Sequence, residues 1–199
     1  MKIGILGGTF DPVHNAHLII AEEVKKRLAL RTVIFVPAGQ PWLKTDHPIT
    51  PAEHRLAMLR LALAEKPGFT ISEVELERAG PSYSVDTVAE LMGALGEKTE
   101  FYFILGWDNL NQLPRWHEPA RLITLCTLVA VHRPGVPRPD LTALDDKIPG
   151  ASGRVIVLDS PSEDISATDI RERVRKGEDI RHLVPAPVAE YIKKHNLYQ

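Results

Sequence analysis

His14 and His17 stand three residues apart in the stretch Gly7-Gly8-Thr9-Phe10-Asp11-Pro12-Val13-His14-Asn15-Ala16-His17. Two imidazoles at that spacing share one face of a helix, and three kinds of chemistry are open to them. They could ligate a metal, although a protein zinc site takes three or four ligands and no third stands at recognisable spacing. They could serve structure by capping the helix that follows them. They could line a polyphosphate site, each ring donating hydrogen bonds to phosphate oxygens. The glycines ahead of them suit phosphate, because a Gly-rich turn between strand and helix brings an anion to a helix N-terminus.

Two familiar nucleotide patterns can be tested on these residues. The dinucleotide fingerprint needs G-x-G-x-x-G and an acidic residue near the end of the second strand. Here the glycines fall at Gly4, Gly7 and Gly8, and the second strand ends Val36-Pro37-Ala38, so a hydride-transferring enzyme is disfavoured. The Walker pattern, G-x-x-x-x-G-K-S/T, must follow a strand. Gly96-Glu97-Lys98-Thr99 carries an extra Glu and precedes a strand instead.

The elements that must hold these residues follow from periodicity. Residues 2–6, with an apolar run from Ile3 to Leu6, read as a buried strand, and residues 16–28 as a helix with Ile20, Ala21, Val24 and Leu28 on one face. Residues 32–36 are β-branched and aromatic, a second strand. Residues 38–49 have no periodicity, and a loop of that length inside a compact domain is usually a binding loop or lid. Thr50-Pro51-Ala52-Glu53 predicts a helix start with Thr50 as N-cap. Residues 69–77 predict a short strand pair or extended connection. Residues 85–95 predict a helix capped by Ser84. Further strands are expected at 100–105, 127–132 and 154–158. Helices are expected over 106–113 and 116–125, with a Pro-rich connection over 133–149. Ser166-Ala167-Thr168-Asp169 is another N-terminal capping pattern, and a last helix runs from 185 or 186 to 195. Strands alternate with helices throughout. The expectation is a single domain over residues 1–199, α/β and Rossmann-like, an open and mostly parallel sheet with helices on both faces. A C-terminal helical part, about residues 166–199, should pack on it.

Bulk properties remove several classes of function. The 199 residues suffice for one hydrophobic core, and 44% apolar with 25% charged residues is ordinary for a globular protein. A net charge of -2 gives no reason to expect a nucleic-acid binder or a polybasic membrane anchor. No apolar run approaches the roughly 20 residues a membrane span needs, and the first residues are too short and interrupted for a signal peptide. The lone Cys126 lies in an apolar run, reads as a core thiol, and fits a reducing cytoplasm.

The stretch from Gly7 to His17 resembles the G-x-F-x-P-x-H-x-G-H signature of the nucleotidyltransferase superfamily of adenylyl- and cytidylyltransferases. Ile165-Ser166-Ala167-Thr168-Asp169-Ile170-Arg171 resembles its second signature, I-S-S/T-T-x-I/L-R. Ala16 stands where many relatives have Gly, and Ala167 replaces a hydroxyl residue. Glu53-His54-Arg55-Leu56, Pro81-Ser82-Tyr83-Ser84, Gly106-Trp107-Asp108, Leu113-Pro114-Arg115-Trp116 and the closing Leu197-Tyr198 narrow the resemblance to the bacterial nicotinate-nucleotide adenylyltransferase family, over essentially the whole length.

That resemblance implies transfer of the adenylyl group of ATP to nicotinate mononucleotide, with release of pyrophosphate. The nucleophile is a phosphate oxygen, already anionic, so catalysis would be positioning and charge stabilisation without a general base. Gly7, Gly8, Thr9 and Phe10 would cradle phosphates with their backbone N–H groups. His14 and His17 would stabilise charge on the transferred phosphate. Ser166, Ala167, Thr168 and Arg171 would hold the outgoing pyrophosphate, and Lys44 would close over the phosphates. Gly106 and Asp108 would lie near the ribose. Tyr83, Ser84, Trp116 and His117, the aromatic pair placed at helix entries, would take the pyridine ring and its carboxylate, with Thr9 and Arg133 as further contacts to the mononucleotide. Mg²⁺ would arrive with ATP, held by phosphate and water. The expected partners are ATP and nicotinate mononucleotide, with a second copy of the chain as a candidate; nucleic acid and membrane are not expected.

Overall fold

A computed structural model describes residues 1–41, 48–96, 98–159 and 164–199. The strands are β1 (Lys2–Gly8), β2 (Thr32–Pro37), β3 (Phe69–Ile71), β4 (Glu100–Gly106), β5 (Thr127–Val131) and β6 (Val155–Leu158). They form one six-stranded sheet in the order β3-β2-β1-β4-β5-β6, and every pairing is parallel. The order reverses direction between β1 and β4. In an open α/β sheet, that reversal leaves a crevice beyond the strand ends.

Strand residues alternate between two cores, as the two-residue period of a strand requires. Leu6, Val33, Phe35, Tyr102 and Ile104 face one layer, while Ile3, Ile5, Ile34, Val36, Phe101, Phe103 and Leu105 face the other. The first layer holds α1 (Asn15–Arg27), α2 (Ala52–Leu63), α8 (Ala167–Arg175) and α9 (Ala186–Lys194). Leu18, Ala21 and Val24 are the buried stripe of α1, and Val188 and Ile192 that of α9. The second layer holds α4 (Ser84–Leu95), α5 (Trp107–Gln112) and α6 (Pro119–Leu125). The segment after β6 shares its core with β1: Ile170, Ile180, Leu183 and Val184 join the cluster that contains Leu6 and Val13.

Several local expectations are corrected. Residues 69–77 form β3 and then a short helix, α3 (Val74–Glu77); only the three residues of β3 pair with the sheet. The Pro-rich stretch contains α7 (Leu141–Asp145), capped by Asp140, whose side chain accepts from Thr142 N and Ala143 N. Pro51, not Thr50, is the N-cap of α2. Thr50 lies one residue outside, its N–H donated to Asp11 Oδ2 at 3.2 Å. Tyr83 is the N-cap of α4 and Ser84 its first helical residue. Neighbouring Ser82 is used elsewhere: its hydroxyl accepts from Gly39 N and Gln40 N. Trp116 does not open a helix. It ends a 3₁₀ turn at Leu113–Arg115, and α6 starts only after Glu118, which has a left-handed φ of 45°.

Candidate active site

β1 delivers Gly7 and Gly8 to the crevice, and the chain turns into α1 through a tightly constrained loop. Phe10 has φ 50° and Asp11-Pro12 is a cis peptide. A left-handed φ at a bulky residue costs of order 1–3 kcal/mol and persists only where the surroundings over-determine it. They do here. The Phe10 ring is buried against Phe35 at 5.8 Å and meets His17 edge-on at 5.0 Å. Arg55 of α2 donates from Nη1 to Thr9 O at 2.7 Å and from Nε to Thr50 O at 2.9 Å. Arg55 is itself 2% exposed; burial lowers its pKa, and the Asp11 carboxylate opposes that shift. An arginine stays cationic regardless, and a buried cation is tolerable because its donors are met by carbonyls and a carboxylate lies close.

The two histidines both cap and line. His14 is the N-cap of α1, and its backbone N–H donates to His17 Nδ1 at 3.2 Å. The rings stack with centroids 3.7 Å apart at 25°. A ring nitrogen that accepts an N–H carries no proton, so in this geometry His17 holds its proton on Nε2. One nitrogen orients the ring, and the other carries the ring's N–H. The capping and phosphate-lining roles are therefore compatible.

From the far end of the chain, α8 brings Arg171 to the same loop. Its Nη1 donates to Asp11 O at 2.8 Å and Nη2 reaches Thr168 Oγ1 at 3.4 Å. Ser166 caps α8 by accepting from Asp169 N at 3.1 Å, and the first turn of α8, whose remaining N–H groups have no partner within the helix, lines the crevice.

The crevice encloses roughly 580 Å³ and joins these parts. Gly7, Gly8, Thr9, Phe10, His14 and His17 line it together with Ser166, Ala167, Thr168 and Arg171. The remaining wall holds Glu75, Ser82, Ser84, Gly106, Asp108, Trp116 and Arg133. Arg133 Nη1 pairs with Asp108 Oδ2 at 2.9 Å. The other oxygen, Asp108 Oδ1, is buried without a hydrogen-bond partner among the described residues, and so is Trp116 Nε1. Buried polar atoms left unpaired are uncommon and costly; a bound ligand could complete this acceptor and this donor. Gly106 makes room for the carboxylate: a Cβ there would stand 2.4 Å from Asp108 Oδ1.

Two residues expected against the pyridine ring are placed differently. The Tyr83 and His117 rings stack on each other at 4.1 Å, and neither lines the crevice among the described residues. The reason is the late start of α6, which leaves His117 in a bend beside Tyr83 instead of at a helix entry. Lys44 lies outside the described residues. Sequence reasoning missed Asp11, Thr50, Arg55, Glu75 and Tyr198 as site residues. Asp11 stood inside the first motif, but nothing local marked it as the acceptor for Tyr198, 187 residues away.

An open parallel sheet with a Gly-rich first turn, two imidazoles and an arginine around one crevice defines a Rossmann-like nucleotidyltransferase. Residues 5–173 match the Cytidylyltransferase-like family model. A protein of Dehalococcoides mccartyi described as a "probable nicotinate-nucleotide adenylyltransferase" is 56% identical over 198 residues, 100% of this chain and 97% of that one. One so described from Thermomicrobium roseum is 48% identical, over 100% of this chain and 92% of that one. The chain belongs to the nicotinate-nucleotide adenylyltransferase family. Among solved structures, Plasmodium falciparum nicotinic acid mononucleotide adenylyltransferase complexed with NaAD has the same fold, with TM-score 0.81 and 22% identity, covering 99% of this chain and 97% of that one.

Proposed function

We propose that this protein transfers the adenylyl group of ATP to nicotinate mononucleotide, forming deamido-NAD and pyrophosphate. The observation that carries this reading is the meeting of the β1–α1 loop, His17 and Arg171 around one crevice at the sheet's switch point. A mononucleotide phosphate oxygen attacks the α-phosphorus, a new P–O bond forms, and the bond to the β-phosphate oxygen breaks, with pyrophosphate carrying the charge away. The backbone N–H groups of residues 7–10 and His17 Nε2 stabilise the transferring phosphoryl group. Thr168 and Arg171 hold the leaving group, the guanidinium matching phosphate oxygens in pairs.

Mg²⁺ would neutralise phosphate charge when bound with ATP. Each carboxylate on the crevice wall already has a protein partner: Asp11 pairs with Tyr198 and Thr50, Glu75 with Thr87, and Asp108 with Arg133 through Oδ2, while its Oδ1 stays unpaired among the described residues. That donor set suits an ion held by phosphate oxygens and water. Lys44 is proposed to contact the phosphates. The reducing cytoplasm is the proposed compartment.

Preference for the acid over the amide would rest on α4 and Trp116. The Ser84 N–H at the start of α4 has no partner within its helix, a helix N-terminus favours an anion, and Trp116 Nε1 adds a second donor. Pyrophosphate release should therefore be at least about tenfold faster with nicotinate mononucleotide than with the amide. Equal rates would remove the carboxylate argument; release with neither would remove the adenylyl transfer itself.

A further inference from the structure

A network of polar side chains that adenylyl transfer does not directly use converges behind the loop at residues 9–11. Asp11 is buried, and both of its carboxylate oxygens are engaged: Oδ1 accepts from Tyr198 Oη at 2.7 Å and Oδ2 from Thr50 N at 3.2 Å. Its carbonyl accepts from Arg171 Nη1 at 2.8 Å. Arg55 ties Thr50 O to Thr9 O. Three separate parts of the chain thus grip Thr9 and Asp11. Tyr198 does so from a left-handed backbone, φ 66°, a conformation disfavoured for a bulky side chain. A residue held in such a conformation while its hydroxyl makes a part-buried, charge-assisted bond is a sign of function.

We propose that Tyr198 is a positioning residue for adenylyl transfer: through the Asp11 carboxylate it sets the phosphate-facing loop and the Arg171 guanidinium. This rests on the adenylyl-transfer reading. A carboxylate gripped at both oxygens has one orientation. Freed at Oδ1, it turns toward a neighbouring cation, and the cations beside it are Arg55 and Arg171. Re-pairing with Arg171 moves a group that lines the crevice, and re-pairing with Arg55 loosens its bond to Thr9 O in the crevice-lining loop; a shift of about 1 Å in such a group can cost about 10²-fold in rate.

The test compares wild type with Tyr198→Phe, which keeps the ring and removes only the hydroxyl. Thermal melting, steady-state pyrophosphate release, and binding of adenosine α,β-methylene triphosphate by calorimetry are measured. The expected result is a kcat lowered about tenfold or more and weaker analogue binding, with KM for nicotinate mononucleotide within about twofold. Asp11→Asn, which still accepts the phenol but not the Thr50 N–H, reaches the same readouts by a second route. If Tyr198 acts through Asp11, the double variant is no slower than the slower single one. A Tyr198→Phe enzyme that loses only melting temperature, or losses that multiply in the double variant, overturns the proposal. Should wild type release no pyrophosphate with either mononucleotide, the adenylyl-transfer reading falls. The analogue then decides alone: weaker binding by Tyr198→Phe supports the positioning role and equal binding overturns it.

Discussion

His17 answers two demands with one ring. Nδ1 takes the His14 N–H at the start of α1, and on the proposed reading Nε2–H is the nitrogen that meets phosphate. Losing a preorganised donor to developing charge costs about 10²–10³ in kcat. Losing a capping bond costs only about 0.5–2 kcal/mol. His17→Ala should therefore lower pyrophosphate release by at least about a hundredfold while the melting temperature falls by only a few degrees, about 2–4 °C per kcal/mol at this chain length. A variant that turns over at near the wild-type rate would leave the ring with capping alone. The types and spacing of His14 and His17 could be read directly. Their mutual hydrogen bond, which makes the capping and phosphate roles one arrangement, could not, because it depends on the extended backbone at His14.

At the scale of elements, caps decide where N–H groups point. Ser166 was legible as the cap of α8 because its hydroxyl acts on a residue three positions on, a purely local contact. Ser84 and Thr50 looked like caps for the same reason, yet each lies one position off. Thr50 is displaced by its N–H contact to Asp11. At α4, Tyr83 takes the cap position, while the neighbouring Ser82 hydroxyl binds the chain after β2. Ser166→Ala should lower stability by about 1 kcal/mol. It should also raise KM for ATP several-fold with little change in KM for nicotinate mononucleotide, since α8 presents Thr168 and Arg171 to the phosphate side. Parallel shifts in both KM values would place the cap outside phosphate binding.

At the scale of the whole molecule, the core sets how the fold responds to alkali. Cys126 is buried under the sheet, and burial pushes its thiol up to about 12. The ordinary value for a cysteine thiol is 9.0, and in the unfolded chain, where the thiol meets water, burial no longer raises it. Between those values the unfolded chain gives up a proton that the folded protein keeps, so rising pH draws the equilibrium toward unfolding. The contribution is fully present below pH 9 and is lost as pH approaches 12. Urea midpoints measured at pH 8 and pH 11 should fall less for Cys126→Ala than for wild type; an equal fall would show that the thiol is not a source of the loss. The same burial should leave the folded thiol unreactive toward iodoacetamide at pH 8.

The sequence by itself determined the alternation of strands and helices, the two-sided sheet and the two motifs that line the crevice. All of these depend on contacts within a few residues: the two-residue strand period, the helical period, a cap acting three positions on. Tertiary structure alone decided that Tyr198 grips Asp11, that Arg55 ties Thr9 to Thr50, that Arg171 bonds the Asp11 carbonyl, and that Tyr83 stacks on His117 instead of lining the crevice. The hydrogen bonds join parts of the chain separated by 46, 160 and 187 residues. No local pattern selects such partners; they meet only once the parallel sheet has placed its strand ends, and with them the first and last motifs, around one crevice.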